Sequence, residues 1–203
     1  MPTNLVIVNT GCANIASVKF AFERIGASVI VSDDTAVISA ADKVLVPGVG
    51  SAPAAMKSIH AKQLVTCIQG LTQPVLGVCL GMQLMVTDSQ EGDFGSVQTT
   101  DCLSLIPGQV KRMQVSHLRL PHMGWNTVTS KYDNPLFKGI PNDEYFYFVH
   151  SFAVDDYEHT LATCDYGFRF SAAIHKDNFY GVQFHPERSS EAGAQLLKNF
   201  LAL

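Results

Sequence analysis

Short, wholly apolar runs rich in β-branched residues recur through the first part of the chain, each separated from the next by a stretch with helical spacing. That alternation restricts the fold more than any other feature. Asn4-Leu-Val-Ile-Val-Asn9 is apolar at four consecutive positions, which suits a strand covered on both faces. After the turn-like Thr10-Gly-Cys-Ala-Asn14, apolar residues at Ile15, Val18, Phe22 and Ile25 keep to one helical face, and Gly26 closes the helix. Ser28–Val31 and Lys43–Val46 read as further strands, Ala52 to Gln69 as a helix, and Pro74–Val78 as a fourth strand. Strands alternating with helices predict a parallel sheet of the doubly wound α/β class.

From about Val97 the pattern shortens. Gly108–Met113, Asn126–Thr129, Tyr145–Val149, Thr160–Thr163, Ser171–Ile174 and Gly181–Phe184 read as strands of a mixed or antiparallel extension, and Glu191–Leu203 as a closing helix with one apolar stripe. No Pro-, Gly- or Ser-rich linker and no internal repeat divides the chain, so residues 1–203 are expected to form one domain. A chain of this length can bury roughly 70% of its unfolded surface without disulfides or metals.

Composition excludes several roles. The net charge is −4 and the basic residues are scattered, with Lys111-Arg112 the only adjacent pair, which argues against nucleic acid. No apolar stretch reaches the roughly 18 residues of a membrane span. The N-terminus lacks a positive region before its apolar run, so a cytoplasmic address is expected. The five cysteines, Cys12, Cys67, Cys79, Cys102 and Cys164, are odd in number and dispersed, without a CxxC pair or zinc-type spacing. A reducing compartment, and no metal or other cofactor, are the expectations.

One cysteine stands in a context that buried packing does not require. Gly77-Val-Cys-Leu-Gly81 has the form G-x-C-x-G at a strand-to-helix junction, the thiol version of a nucleophile elbow. Small residues on both sides let a strained turn lift Cys79 to the end of the sheet, where a helix N-terminus favours thiolate and the Leu80 N–H faces a developing oxyanion. The plain alternative is a buried cysteine in an ordinary junction. Gly181-Val-Gln-Phe-His-Pro-Glu187 ends a second strand with His185 and Glu187 two residues apart; Pro186 keeps His185 extended, so the carboxylate can reach the imidazole. That supplies a base and its orienter. Val46-Pro-Gly-Val-Gly50 is a turn whose freed amides suit the other half of an oxyanion hole, although any β-to-α turn can look this way.

Taken in this order, the three elements resemble the class I (triad) glutamine amidotransferases over nearly the whole chain. The resemblance implies a flavodoxin-like, doubly wound mixed sheet and hydrolysis of glutamine. It makes Cys79 the nucleophile, His185 the general base and acid and Glu187 the orienting carboxylate, with Gly48, Val49 and Gly50 as the oxyanion strand. Gln83 and Glu91 match positions that hold the amino-acid end of the substrate, and His150 and Ser151 the backbone segment facing it. Pro121-His-Met-Gly-Trp-Asn126, Tyr145–Ser151 and Asp177–Ser189 are similar to those members of the family that feed ammonia to a (β/α)₈ cyclase subunit, which implies a heterodimer. Met123, Trp125, Asn126, Tyr147 and Arg188 are then expected on the partner face, Arg188 by pairing with a carboxylate across it; Trp125 as a core residue is the alternative. Many relatives read Gly-Asn-Leu-Arg-Ser where this chain has Cys12-Ala-Asn-Ile-Ala-Ser17. The residues alone leave open an amidotransferase serving another synthase, a stand-alone cysteine hydrolase and a silent binding subunit.

Overall fold

The computed structural model describes residues 3–11, 14–92 and 99–203, so Cys12 and Ala13 of the early turn, and Val97, lie outside the described residues. The chain order is β1 (Asn4–Val8), α1 (Ile15–Arg24), β2 (Ser28–Ser32), α2 (Thr35–Ser39), β3 (Lys43–Val46), α3 (Ala52–Ala61), α4 (Val65–Gln69), β4 (Val75–Val78) and α5 (Leu80–Gln83). The second half contributes β5 (Asp88–Ser89), β6 (Thr100–Asp101), β7 (Gln109–Arg112), β8 (His122–Ser130), β9 (Glu144–His150), β10 (Phe152–Val154), β11 (Thr160–Asp165), β12 (Arg169–Lys176), β13 (Phe179–Val182) and α6 (Ser190–Ala202).

Nine strands form one sheet in the order β2-β1-β3-β4-β13-β12-β11-β8-β9. The pairs from β2 to β13 are parallel, and those from β13 to β9 are antiparallel. The apolar runs explain the parallel half. Leu5 and Ile7 point into a core shared with Phe22 of α1 and Leu197 and Phe200 of α6, while Val6 and Val8 point into the opposite core with Ile59 of α3 and Ile68 of α4. Successive side chains alternate faces, so a strand buried on both sides must be apolar at every position. The edge strand β2 escapes this rule, leaving Ile30 and Val31 exposed.

Several boundaries differ from expectation. The predicted helix over 52–69 is two helices: Gln63 takes a left-handed conformation at φ 56°, and the Leu64 amide turns back to the Ile59 carbonyl at 3.0 Å, burying Leu64 completely. That is a Schellman-type stop made without glycine. The short α2 was not anticipated, although its cap is visible in the sequence: the Asp34 side chain accepts from the Ala36 amide at 2.8 Å. Strand β8 begins at His122 rather than Asn126, and the predicted strand at 181–184 ends at Val182. A second sheet, β10-β7-β5-β6, was also unforeseen because two of its strands are only two residues long.

Candidate active site

β4 runs between β3 and β13, and its carboxyl end delivers Cys79. Open α/β sheets bind ligands outside these strand ends. Cys79 has φ 53° and ψ −113°, a conformation rarely tolerated by a residue with a Cβ, and it is only 8% exposed. The turn exists because its neighbours are glycines. A Cβ on Gly81 would strike the Val46 carbonyl oxygen, and one on Gly48 would lie 2.7 Å from the Gly81 nitrogen. The turns after β3 and β4 are therefore pressed together, backbone against backbone. The helix that follows Cys79 is a single turn, so its dipole supplies little more than the first unpaired amides, including that of Leu80.

His185 follows β13, and its Nδ1 lies 2.8 Å from Glu187 Oε1, with both side chains almost wholly buried. The His185 amide donates to the Tyr147 carbonyl at 2.8 Å, and Ser189 Oγ donates to the His185 carbonyl at 2.7 Å, so the backbone carrying the imidazole is held from two sides. Burial by itself would push the His185 pKa down. Hydrogen bonds to Cys79 and Glu187 and the charge on both outweigh it, and the pKa is raised to about 10. The imidazole accordingly carries a proton beside the sulfur.

A cavity of about 410 Å³ collects nearly all the residues expected at the site. Cys79, His185 and Glu187 line it together with Gly48, Val49, Gly50, Leu80, Gln83, Glu91, His150, Ser151 and Arg188. The 48–50 turn lines the same cavity as the nucleophile, with Gly50 at φ 96°. Glu91 does something the sequence did not suggest. Its Oε2 accepts from the Ala52 amide at 2.8 Å, capping α3 immediately beyond that turn, and burial raises its pKa despite this hydrogen bond.

His150 is among the residues lining the cavity, and its ring packs in the core against Phe148 and Phe170. His150 Nδ1 lies 2.8 Å from the Phe152 carbonyl and Nε2 lies 3.1 Å from Nδ1 of His122. Burial lowers the pKa of both rings, to about 3 for His150 and about 4 for His122, so both are neutral. Gln83 Nε2 donates to the Phe152 carbonyl at 2.9 Å and to Gln183 Oε1 at 2.8 Å. Gln183 Nε2 in turn lies 3.8 Å from Cys79 Sγ. His122, Gln183 and Ser189 were missed by sequence reasoning. For Gln183 the signal was present, since a lone amide between Val182 and Phe184 interrupts an apolar run and buried amides need partners.

The residues expected on the partner face lie apart from the cavity, Arg188 excepted. Met123 and Trp125 are 63% and 52% exposed on β8, which rules out Trp125 as core. Tyr147 lies opposite Trp125 on β9, with an edge-on ring contact, and the Arg188 guanidinium sits 5.4 Å from the Tyr147 ring centre. Within the chain, Arg188 therefore has an aromatic partner. Asn126 is half-buried and donates through Nδ2 to the Asp165 carbonyl at 2.8 Å. Among the described residues, no group of three or more His, Cys, Asp or Glu side chains is placed to hold a metal, and no helix is long and apolar enough to cross a membrane.

Comparison with known proteins agrees with this geometry. The profile of the family described as glutamine amidotransferase class-I matches residues 6–203. A protein of Colwellia psychrerythraea named imidazole glycerol phosphate synthase subunit HisH is 56% identical over 98% of this chain and 92% of its own length. The HisH subunit of Vibrio cholerae is 53% identical over the whole of both chains. Among solved structures, a glutamine amidotransferase of Thermotoga maritima superposes with a TM-score of 0.64 at 17% identity, covering 92% of this chain and 77% of that one, which is a likeness of fold. The elbow, the His-Glu pair and the turn facing them thus occur in a sequence that, over almost its full length, belongs to the class I glutamine amidotransferases and, among them, to the HisH subunits of imidazole glycerol phosphate synthase.

Proposed function

We propose that this chain, as one domain over 1–203, is the glutaminase subunit of imidazole glycerol phosphate synthase, working in the cytoplasm as a heterodimer with a (β/α)₈ cyclase subunit. The observation that carries the proposal is the Cys79–His185–Glu187 line in a cavity faced by the 48–50 turn. The Cys79 thiolate attacks the side-chain amide carbon of glutamine. The oxyanion is held by the Leu80 N–H and an amide of the 48–50 turn. His185 gives its proton to the departing nitrogen, the C–N bond breaks, and ammonia leaves a thioester on the sulfur. His185, now neutral, takes a proton from water; the hydroxide displaces the sulfur, and glutamate leaves with thiolate and imidazolium restored. Glu187 accepts the Nδ1–H throughout, keeping Nε2 toward the reacting atoms. Gln83 and Glu91 hold the amino-acid end of glutamine, with the backbone of His150 and Ser151 alongside.

Ammonia then passes to the cyclase, which converts phosphoribulosyl aminoimidazole carboxamide ribonucleotide to imidazole glycerol phosphate and aminoimidazole carboxamide ribonucleotide, a step of histidine biosynthesis. Met123, Trp125, Asn126, Tyr147 and Arg188 make the partner face. What supports that placement is continuity. The β9 strand that carries Tyr147 also brings the Val149 carbonyl to 3.9 Å from Cys79 Sγ. No metal or other cofactor enters the reaction. The test is to mix the chain with the cyclase and follow glutamate release with and without the nucleotide. Cys79→Ala should abolish glutamate release while ammonia-dependent synthesis by the complex continues; loss of both activities would make Cys79 structural.

A further inference from the structure

The polar contacts behind the cavity join into one chain whose direction can be worked out atom by atom. The Phe152 carbonyl can only accept, so His150 carries its proton on Nδ1 and donates there at 2.8 Å. Neutral His150 must then accept at Nε2, so His122 donates from Nδ1 at 3.1 Å and accepts at its own Nε2, where Asn126 Nδ2 lies 3.3 Å away. The second Asn126 hydrogen goes to the Asp165 carbonyl. On the other side, the same Phe152 carbonyl accepts from Gln83 Nε2, whose remaining hydrogen goes to Gln183 Oε1. Gln183 Nε2 ends the chain on the Cys79 sulfur.

The bonded groups fit in one sense only, and the rings cannot easily turn. His122 is 2% exposed and stacked between Tyr166, at a centroid distance of 4.0 Å, and Phe148, at 4.9 Å. Gln183 is fully buried. A directional, satisfied network of this kind fixes side-chain orientation more firmly than its separate bonds would. It also decides which end of the Gln83 amide is left over. Both N–H groups are committed, so the oxygen is the atom Gln83 presents to the cavity it lines.

We propose that Gln183 and His122 are positioning residues of the glutaminase. Gln183 holds the Cys79 sulfur from the side away from substrate and pins Gln83. His122 fixes the His150 tautomer, and through the Phe152 carbonyl it keeps the Gln83 amide oxygen directed at the ammonium end of the substrate. The inference rests on the glutaminase reading above.

The test uses the complex with the cyclase and its nucleotide. Gln183→Glu keeps an acceptor for Gln83 but puts a carboxylate where the N–H met the sulfur. Its kcat should fall about 10- to 100-fold, as for loss of one hydrogen bond to a charged group, with KM little changed. Alkylation of Cys79 by iodoacetamide at neutral pH should slow in parallel. Gln183→Leu, which avoids the buried charge if Gln183→Glu fails to fold, should show the same slowing and raise KM as well. His122→Phe keeps the stacking but neither hydrogen bond; KM should rise about fivefold, with alkylation unchanged. Nitrogen-15 NMR of the unaltered protein should show His150 protonated on Nδ1. Unchanged kcat and alkylation at position 183, unchanged KM at 122, or an Nε2–H tautomer would each overturn the assignment. If the unaltered complex released no glutamate, the glutaminase reading itself would fall, while alkylation and NMR would still report on the chain.

Discussion

Cys79 and Glu187 show how little of a site is the reactive atom. The cysteine is held at φ 53° by the packing of its neighbours, and Glu187 spends one oxygen on His185 while Oε2 lies buried without a hydrogen-bond partner among the described residues. Replacing the carboxylate by an amide, Glu187→Gln, removes the charge that helps keep His185 protonated. The imidazolium should then give up its proton at a lower pH, and glutamate release should fall by about 10²-fold or more, as loss of an orienting carboxylate does in other triads. Steady-state rates across pH check both effects; an unchanged profile would mean that Glu187 merely packs. At this scale the sequence was informative where chemistry forces a motif: the G-x-C-x-G turn and the His-Pro-Glu step both stood out. It was silent on His122 and His150 as a pair, because they sit far apart in the chain and meet only across the register of β8 with β9.

Among the elements, the apolar runs made the parallel half legible, since both faces of those strands must be covered. The short strands of the second sheet and the break between α3 and α4 were illegible, because two-residue pairings and a left-handed Gln63 depend on tertiary contacts rather than local pattern. The junction of β3, β4 and α5 makes its own prediction. A methyl group on Gly81 would meet the Val46 carbonyl, part of a neighbouring strand that cannot swing aside. Gly81→Ala should therefore destabilise the protein by about 3 kcal/mol or more. The melting temperature should drop by roughly 6–12 °C. A melting curve superposable on that of the unaltered chain would show that the turns after β3 and β4 have room to separate.

For the molecule as a whole, two expectations concern conditions rather than single contacts. In the unfolded chain, histidines take up protons near pH 6.5, whereas folded His122 and His150 do so only near 4 and 3. Between those values the unfolded state binds more protons, so stability falls as pH falls below about 6.5. Melting temperatures measured from about pH 7 to pH 4 should decline, and His122→Phe should decline less steeply; equal slopes would place the acid sensitivity elsewhere. The second expectation concerns the partner. Met123, Trp125 and Tyr145 are exposed on the strand pair whose inner end borders the nucleophile, so a cyclase docked on the proposed face would bear directly on the cavity. Glutamate release by the isolated chain should be low and rise when cyclase and nucleotide are both present; equal turnover in their absence would dismiss this activation.

The carboxylate of Glu91 is already occupied before any substrate arrives, tying the start of α3 to the loop after β5. If the α-ammonium group settles on Glu91, as proposed above, it lands on a strut whose far end is the first amide of α3, directly after the 48–50 turn proposed to stabilise negative charge at the other end of the same small molecule. Selectivity for an amino acid over a simple amide then becomes a matter of speed as much as affinity. Glutaric acid monoamide, which has the side-chain amide and a carboxylate but no amino group, should be a slow substrate even at saturation.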